Sequence, residues 1–142
     1  MTGEWYISNQ VALLIDGENI SYRHAFTLLQ IVVSNIQAGD ELIFKCVYGN
    51  QEILRAWKSA ISACGLQSQS HQGGKDAADW LIIHKAMSLA DAGVHRFYVV
   101  SNDNKFRVLA GLMTLRGYEV IGIGNAHASA RLKAACKRFY IL

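Results

Sequence analysis

The run Val11–Ile15 (VALLI) is apolar at every position, and Arg96–Ser101 (RFYVVS) is nearly so. A strand without a polar face must be covered on both sides, as in the centre of a parallel sheet and unlike a half-solvated antiparallel sheet. Helix-spaced segments fill the intervals. The reading gives strands at 11–15, 41–48, 66–70 (the weakest), 96–101 and 118–124. Helices are expected at 19–37, 51–64, 76–92, 105–116 and 127–137, and Phe139–Leu142 is a candidate short last strand. Gly39, Gly65, Gly93 and Gly117 stand where four of these helices would end.

Parallel neighbours need crossover connections, which the helices supply. The expected fold is therefore an α/β three-layer sandwich around a mostly parallel, five-stranded sheet. The 142 residues suit one domain, 1–142. A chain that is 51% hydrophobic and 18% charged can build a core, which excludes a disordered tail or linker. The net charge of +3 permits nucleic-acid binding without requiring it.

Cys46, Cys64 and Cys136 form no CxxC pair, so zinc is not expected, and each reads as a buried small hydrophobe. Their odd number and lack of framework spacing fit a reducing, cytoplasmic compartment. The opening MTGEWYISNQ has neither a basic nor an apolar leader region, and no apolar run approaches the ~18 residues of a membrane span. The apolar composition leaves room for a homodimer.

In doubly wound sheets ligands bind beyond the carboxyl ends of the strands, near the switch point. Two polar clusters fall there: Asp16-Gly17-Glu18-Asn19 after VALLI, and Ser101-Asn102-Asp103-Asn104 after RFYVV. Each acid alone could be a turn or cap residue. Together, on adjacent strand ends, Asp16 and Asp103 would lie within several Å, where like charges need a cation, a proton or a basic side chain. A third cluster, Gly73–Trp80, carries Asp76 and Asp79 on one helix face. Asp76 reads as an acid serving the helix dipole. Asp79, followed by the apolar run Trp80–Ile83, reads as a site residue at the sheet edge. Carboxylates with oxygen-donor neighbours suit Mg²⁺ or Mn²⁺, and such an ion suits a phosphodiester. Asn19 and Asn102 could orient carboxylate, water or phosphate.

Other signals are weaker. Gly122-Ile123-Gly124 is too short for a dinucleotide fingerprint. His71 is expected as a solvated loop histidine. Arg131, Lys133, Lys137 and Arg138 read as a solvated helix face. A phosphoryl-receiver reading lacks an aspartate after the third strand.

The segments LLIDGENI, GGKDAADWLIIHKAM and FYVVSNDNKFRVLAGLMTLRGYEVIGIG resemble the PIN-like/NYN superfamily of metal-dependent ribonucleases, in order and spacing, over most of the chain. The resemblance implies a PIN-like sheet of order 3-2-1-4-5. It also implies acids around one or two Mg²⁺ or Mn²⁺ ions that cleave single-stranded or structured RNA. Asp16 matches the first-strand aspartate and Asn19 its following asparagine. Asp79 matches the aspartate of a Lys-Asn-Ala-x-Asp-Phe type helix motif, with Lys75 at the lysine, and Asp103 matches the aspartate after strand 4. The implied metal ligands are Asp16, Asp79 and Asp103.

One departure stands out. Family members place another acid two or four residues beyond the Asp103 position, where this chain has Lys105 and Arg107. Asp76 or Glu18 could replace the missing ligand. Lys75, Asn102, Lys105 and Arg107 are candidate RNA contacts. The alternative is a catalytically degenerate RNA-binding or regulatory module, its acids neutralised by Lys105 and Arg107 without metal.

Overall fold

The structure, a computed structural model, describes residues 9–74 and 76–142. Most of the opening segment searched for a leader, and Lys75, lie outside them. The elements are β1 (Asn9–Asp16), α1 (Ala25–Asn35), β2 (Asp40–Gly49), α2 (Gln51–Ala56), α3 (Lys58–Cys64), β3 (Gln67–Ser70), α4 (Ala77–Asp91), β4 (Val94–Val100), α5 (Phe106–Leu115), β5 (Glu119–Gly124), α6 (Ala130–Ala135) and β6 (Arg138–Ile141).

The sheet is parallel throughout, in the order β3-β2-β1-β4-β5-β6. The expected 3-2-1-4-5 order holds, and a sixth strand extends it. β6 pairs Ile121 with Arg138 through Gly124 with Ile141. The helix expected over 127–137 is correspondingly short. Ser129 caps α6 by accepting from the Leu132 N–H, and the chain turns extended at Cys136. Lys137 and Arg138 thus leave the helix face, and Lys137 pairs instead with Glu119.

β1 is buried from Val11 to Asp16, as an all-apolar central strand requires. Its side chains alternate between two cores. Ala12 and Leu14 pack with Ala78 and Ile82 of α4, Phe106 and Leu109 of α5, and Leu132 of α6. Val11, Leu13 and Ile15 pack with Leu28 and Val32 of α1, Trp57 and Ala60. The result is three layers with helices on both faces.

Two further helices differ from expectation. The segment after β1 first makes a tight turn, in which the Asp16 carbonyl accepts the Asn19 and Ile20 N–H groups. A Ser21-capped 3₁₀ turn at Tyr22–His24 then leads into α1. The helix expected over 51–64 divides into α2 and α3 at Trp57, whose ring is fully buried. Cys46 is buried, whereas Cys64 and Cys136 are only partly so. Gly122 and Gly124 serve packing: a Cβ on Gly122 would lie 2.3 Å from the Phe139 ring, and one on Gly124 would lie 2.4 Å from Asn102 Oδ1. Among the described residues no helix is long and apolar enough to cross a membrane.

Candidate metal centre

The order β2-β1-β4-β5 puts the switch point between β1 and β4. Asp16 is the last residue of β1, and Ser101 follows β4 directly. The Ser101 hydroxyl donates to Asp16 Oδ2 at 2.8 Å, and Ser101 Oγ accepts the Asp103 N–H at 3.0 Å. One small side chain thereby ties both strand-end acids together. The Asp103 carboxylate is fixed further by the Lys105 N–H, which donates to Oδ1 at 2.9 Å.

The third acid arrives from α4. Asp79 lies in the first turn on the buried side, beside Ala78 and Ile82. Asp76 precedes the helix with φ +70°, a left-handed conformation that aspartate tolerates better than most residues. It makes no side-chain cap. Besides the helix N-terminal position expected for it, it lines the site cavity. Carboxylate oxygens of Asp76, Asp79 and Asp103 lie within 4.8 Å of one another. Asp16, Glu18 and Asn19 line the same cavity of about 170 Å³.

The neighbouring groups organise the rim. Asn19 Oδ1 accepts the Asn102 N–H at 3.2 Å, and Asn102 Oδ1 accepts the Asn125 N–H at 2.7 Å. Asn102 is thus a strut between the loops after β4 and β5. Glu18 accepts the Asn50 N–H and contacts His71 Nε2. The expected solvated His71 is instead paired and largely covered, its side chain 8% exposed.

The electrostatics reflect crowded acids. Burial pushes Asp16 up to about 6, with repulsion from Asp103 and Glu18 adding to the shift. The Ser101 hydroxyl and the Glu18 N–H oppose it. Burial likewise pushes Asp79 up to about 7, aided by the charges of Asp16 and Asp103 and by a carboxyl–carboxyl hydrogen bond to Asp103. Lys105 provides the nearby positive charge: its Nζ lies 2.7 Å from Asp76 Oδ1, 3.6 Å from Asp103 Oδ2 and 3.7 Å from Asp79 Oδ2. The hydrogen bond to Asp76, then the other acids, raises its pKa. Arg107 points elsewhere and lines a groove between α4 and α5.

Ser101 and Trp80 fell inside the clusters named from the sequence but were given no role of their own. A serine ending an apolar strand beside Asn and Asp was a visible signal for the first. Nothing local distinguished Trp80, 57% exposed, from the core residues that follow it.

Fold and site together define a PIN-like α/β protein with an acidic cluster at the carboxyl edge of a parallel sheet. The chain belongs to the NYN domain family, whose model matches residues 10–142, and NYN domains are PIN-like ribonuclease domains. No curated protein matches significantly. Among solved structures, a protein of unknown function from Vibrio parahaemolyticus superposes with TM-score 0.74 at 19% identity, over 95% of this chain and 93% of that one. A gentamicin A biosynthesis protein in complex with NAD gives TM-score 0.45 at 14% identity, over 99% of this chain and 36% of that one, a level that identifies neither fold nor function.

Proposed function

We propose that this chain is a metal-dependent endoribonuclease that hydrolyses RNA phosphodiesters with Mg²⁺ or Mn²⁺ held by Asp16, Asp79 and Asp103. One observation carries the reading: acids from three separate segments converge on one cavity. The donor set fits the group. Its atoms are hard carboxylate oxygens; those of Asp76, Asp79 and Asp103 lie within 4.8 Å of one another, close enough for one small ion with ligands at ~2.1 Å, and Asp16 lines the same cavity. The raised pKa of Asp79, caused first by burial and then by the charges of Asp16 and Asp103, is what a crowded acid pocket produces. Asp76 is a further ligand candidate and Glu18 a more distant one.

When bound, such an ion supplies Lewis-acid polarisation of the scissile phosphate and a water acidified enough to act as nucleophile. The protein's own groups do the positioning. Ser101 holds Asp16 and Asp103 in register. Asn19, its carbonyl engaged by Asn102, keeps its amide N–H groups for a phosphate oxygen or the attacking water. Lys105 and Arg107, with Lys75 and Asn102 as further candidates, contact the RNA backbone. The cysteines are free thiols, which supports a cytoplasmic setting.

Cleavage of RNA by the pure protein in Mg²⁺ or Mn²⁺, against Asp16→Asn and Asp103→Asn, tests the reading. Activity in the wild type that both variants and EDTA abolish is expected. Equal activity in all three proteins removes it.

The position of Lys105 Nζ favours a second reading, in which its ammonium is the permanent counterion and the domain binds RNA without cutting it. RNA binding that EDTA leaves intact, with no cleavage in either metal, would mark that case.

A further inference from the structure

Beside the acidic cavity lies a second concavity of about 650 Å³, between α4 and α5. Its floor is apolar. Trp80, Ile83 and Met87 recur at i, i+3 and i+7 along α4, and Val108 and Leu112 face them from α5. Trp80 is 57% exposed and Val108 64%, so this is uncovered apolar surface. Contiguous patches of that kind mark interaction sites.

The groove is continuous with the proposed active site. Asp103 and Lys105 line the groove at its head, and Asp103 also lines the acidic cavity. Asp79 and Trp80 are consecutive, so one turn of α4 presents a carboxylate to the cavity and an indole to the groove. The head of the groove carries positive charge. Lys105 borders it, and Arg107, exposed and in no ion pair among the described residues, lines it as well.

We propose that this groove is the track for unpaired nucleotides of single-stranded RNA, with Trp80 as a stacking platform that sets a base beside the acidic cavity and Arg107 on the adjoining phosphate. The inference rests on the reading of RNA as substrate and adds the surface that would hold the unpaired strand. Every base has a face that stacks on an indole without regard to sequence. A duplex hides those faces, so an apolar floor with a cationic head discriminates for unpaired strands. A protein helix seated there would cover Asp103 and Lys105 and close the way to the acids, which argues against a protein occupant.

Binding is measured in EDTA, so that cleavage plays no part, by anisotropy of a labelled unstructured oligoribonucleotide and of the same strand annealed to its complement. The wild type should prefer the unpaired strand and show quenched tryptophan fluorescence on binding. Trp80→Ala should bind it roughly fivefold to 100-fold more weakly. Trp80→Phe should stay within about threefold of wild type while losing the quench. Val108→Glu, at an exposed position that folding does not need, should also weaken binding by placing negative charge in the trough. Equal affinity for duplex and single strand, or full affinity in Trp80→Ala and Val108→Glu, overturns the proposal. So does sedimentation showing that Trp80→Ala separates a dimer into monomers while RNA affinity is unchanged, since the face would then join two copies. Trp80-dependent binding without metal-dependent cleavage would keep the groove and remove the nuclease reading. Cleavage of single strands with the same KM in wild type and Trp80→Ala would do the reverse.

Discussion

Ser101 donates its hydroxyl proton to Asp16 across the β1–β4 switch point at 2.8 Å, between side chains that are both almost fully buried. The same oxygen accepts the Asp103 N–H, so one serine sets the spacing of two proposed metal ligands. Groups that orient metal ligands typically contribute tenfold to 100-fold in affinity or activity. Ser101→Ala is therefore expected to weaken Mn²⁺ binding and RNA cleavage by about that factor. Ser101→Thr, which keeps the hydroxyl, should recover part of the loss. Titration calorimetry and cleavage assays on the two variants check this.

Lys105 places a positive charge within 3.7 Å of Asp76, Asp79 and Asp103. A divalent ion entering the cavity meets that charge and is repelled. Lys105→Ala should tighten Mn²⁺ binding by about threefold to tenfold, seen directly in a calorimetric titration. If Lys105 also grips substrate, KM for RNA should rise in the same variant. Unchanged metal affinity would show that the ammonium does not compete for the site.

The pH dependence follows from Asp16 at about 6 and Asp79 at about 7, both raised from 3.8 first by burial. Protons compete with metal for the carboxylates, so Mn²⁺ affinity and cleavage should climb between about pH 5.5 and 8. Stability without metal should move the opposite way. A folded-state pKa above the unfolded value means the folded protein holds the extra proton. That contribution is fully present below about pH 4 and is lost as pH rises through 6 to 7. For Asp16 it amounts to at most about 3 kcal/mol. Urea denaturation of wild type and Asp16→Asn without metal should therefore show the variant gaining relative stability between pH 4 and 8, with saturating Mn²⁺ restoring the wild type.

Gly124 leaves no room for a side chain, because a Cβ would fall 2.4 Å from Asn102 Oδ1 and 2.9 Å from the Phe139 ring. Gly124→Ala should cost about 1–3 kcal/mol in denaturation. It should also loosen the strut from Asn102 to Asn125, and with it the Asn102 contact to Asn19. Reduced cleavage at a temperature where the variant is fully folded is the expected sign.

The strands around the site could be read from the sequence because burial on both faces leaves no polar residue in VALLI or in the end of β4. Their carboxyl ends then located Asp16 and Asp103. What could not be read depended on contacts between distant segments. β6 consists of Arg138-Phe139-Tyr140-Ile141, too short to separate from a helix end until its pairing with β5 is known. Asp76 read first as a helix-dipole acid and only second as a replacement ligand, and its place in the acidic cavity and its contact with Lys105, 29 residues on, depend on packing between distant segments. Lys105 stood out as a departure from the family pattern, but its identity alone could not say whether it faced the acids or solvent. The exposure of Trp80 depends on where α5 lies, which no local pattern encodes.

A calorimetric titration of metal-free protein with Mn²⁺ at pH 8, beside Asp79→Asn, asks most directly whether the converging acids form a cation site. Saturable binding in the wild type that Asp79→Asn abolishes or weakens severely is the expected result. No binding, or equal binding in both proteins, would contradict the metal centre from which the rest of the function is argued.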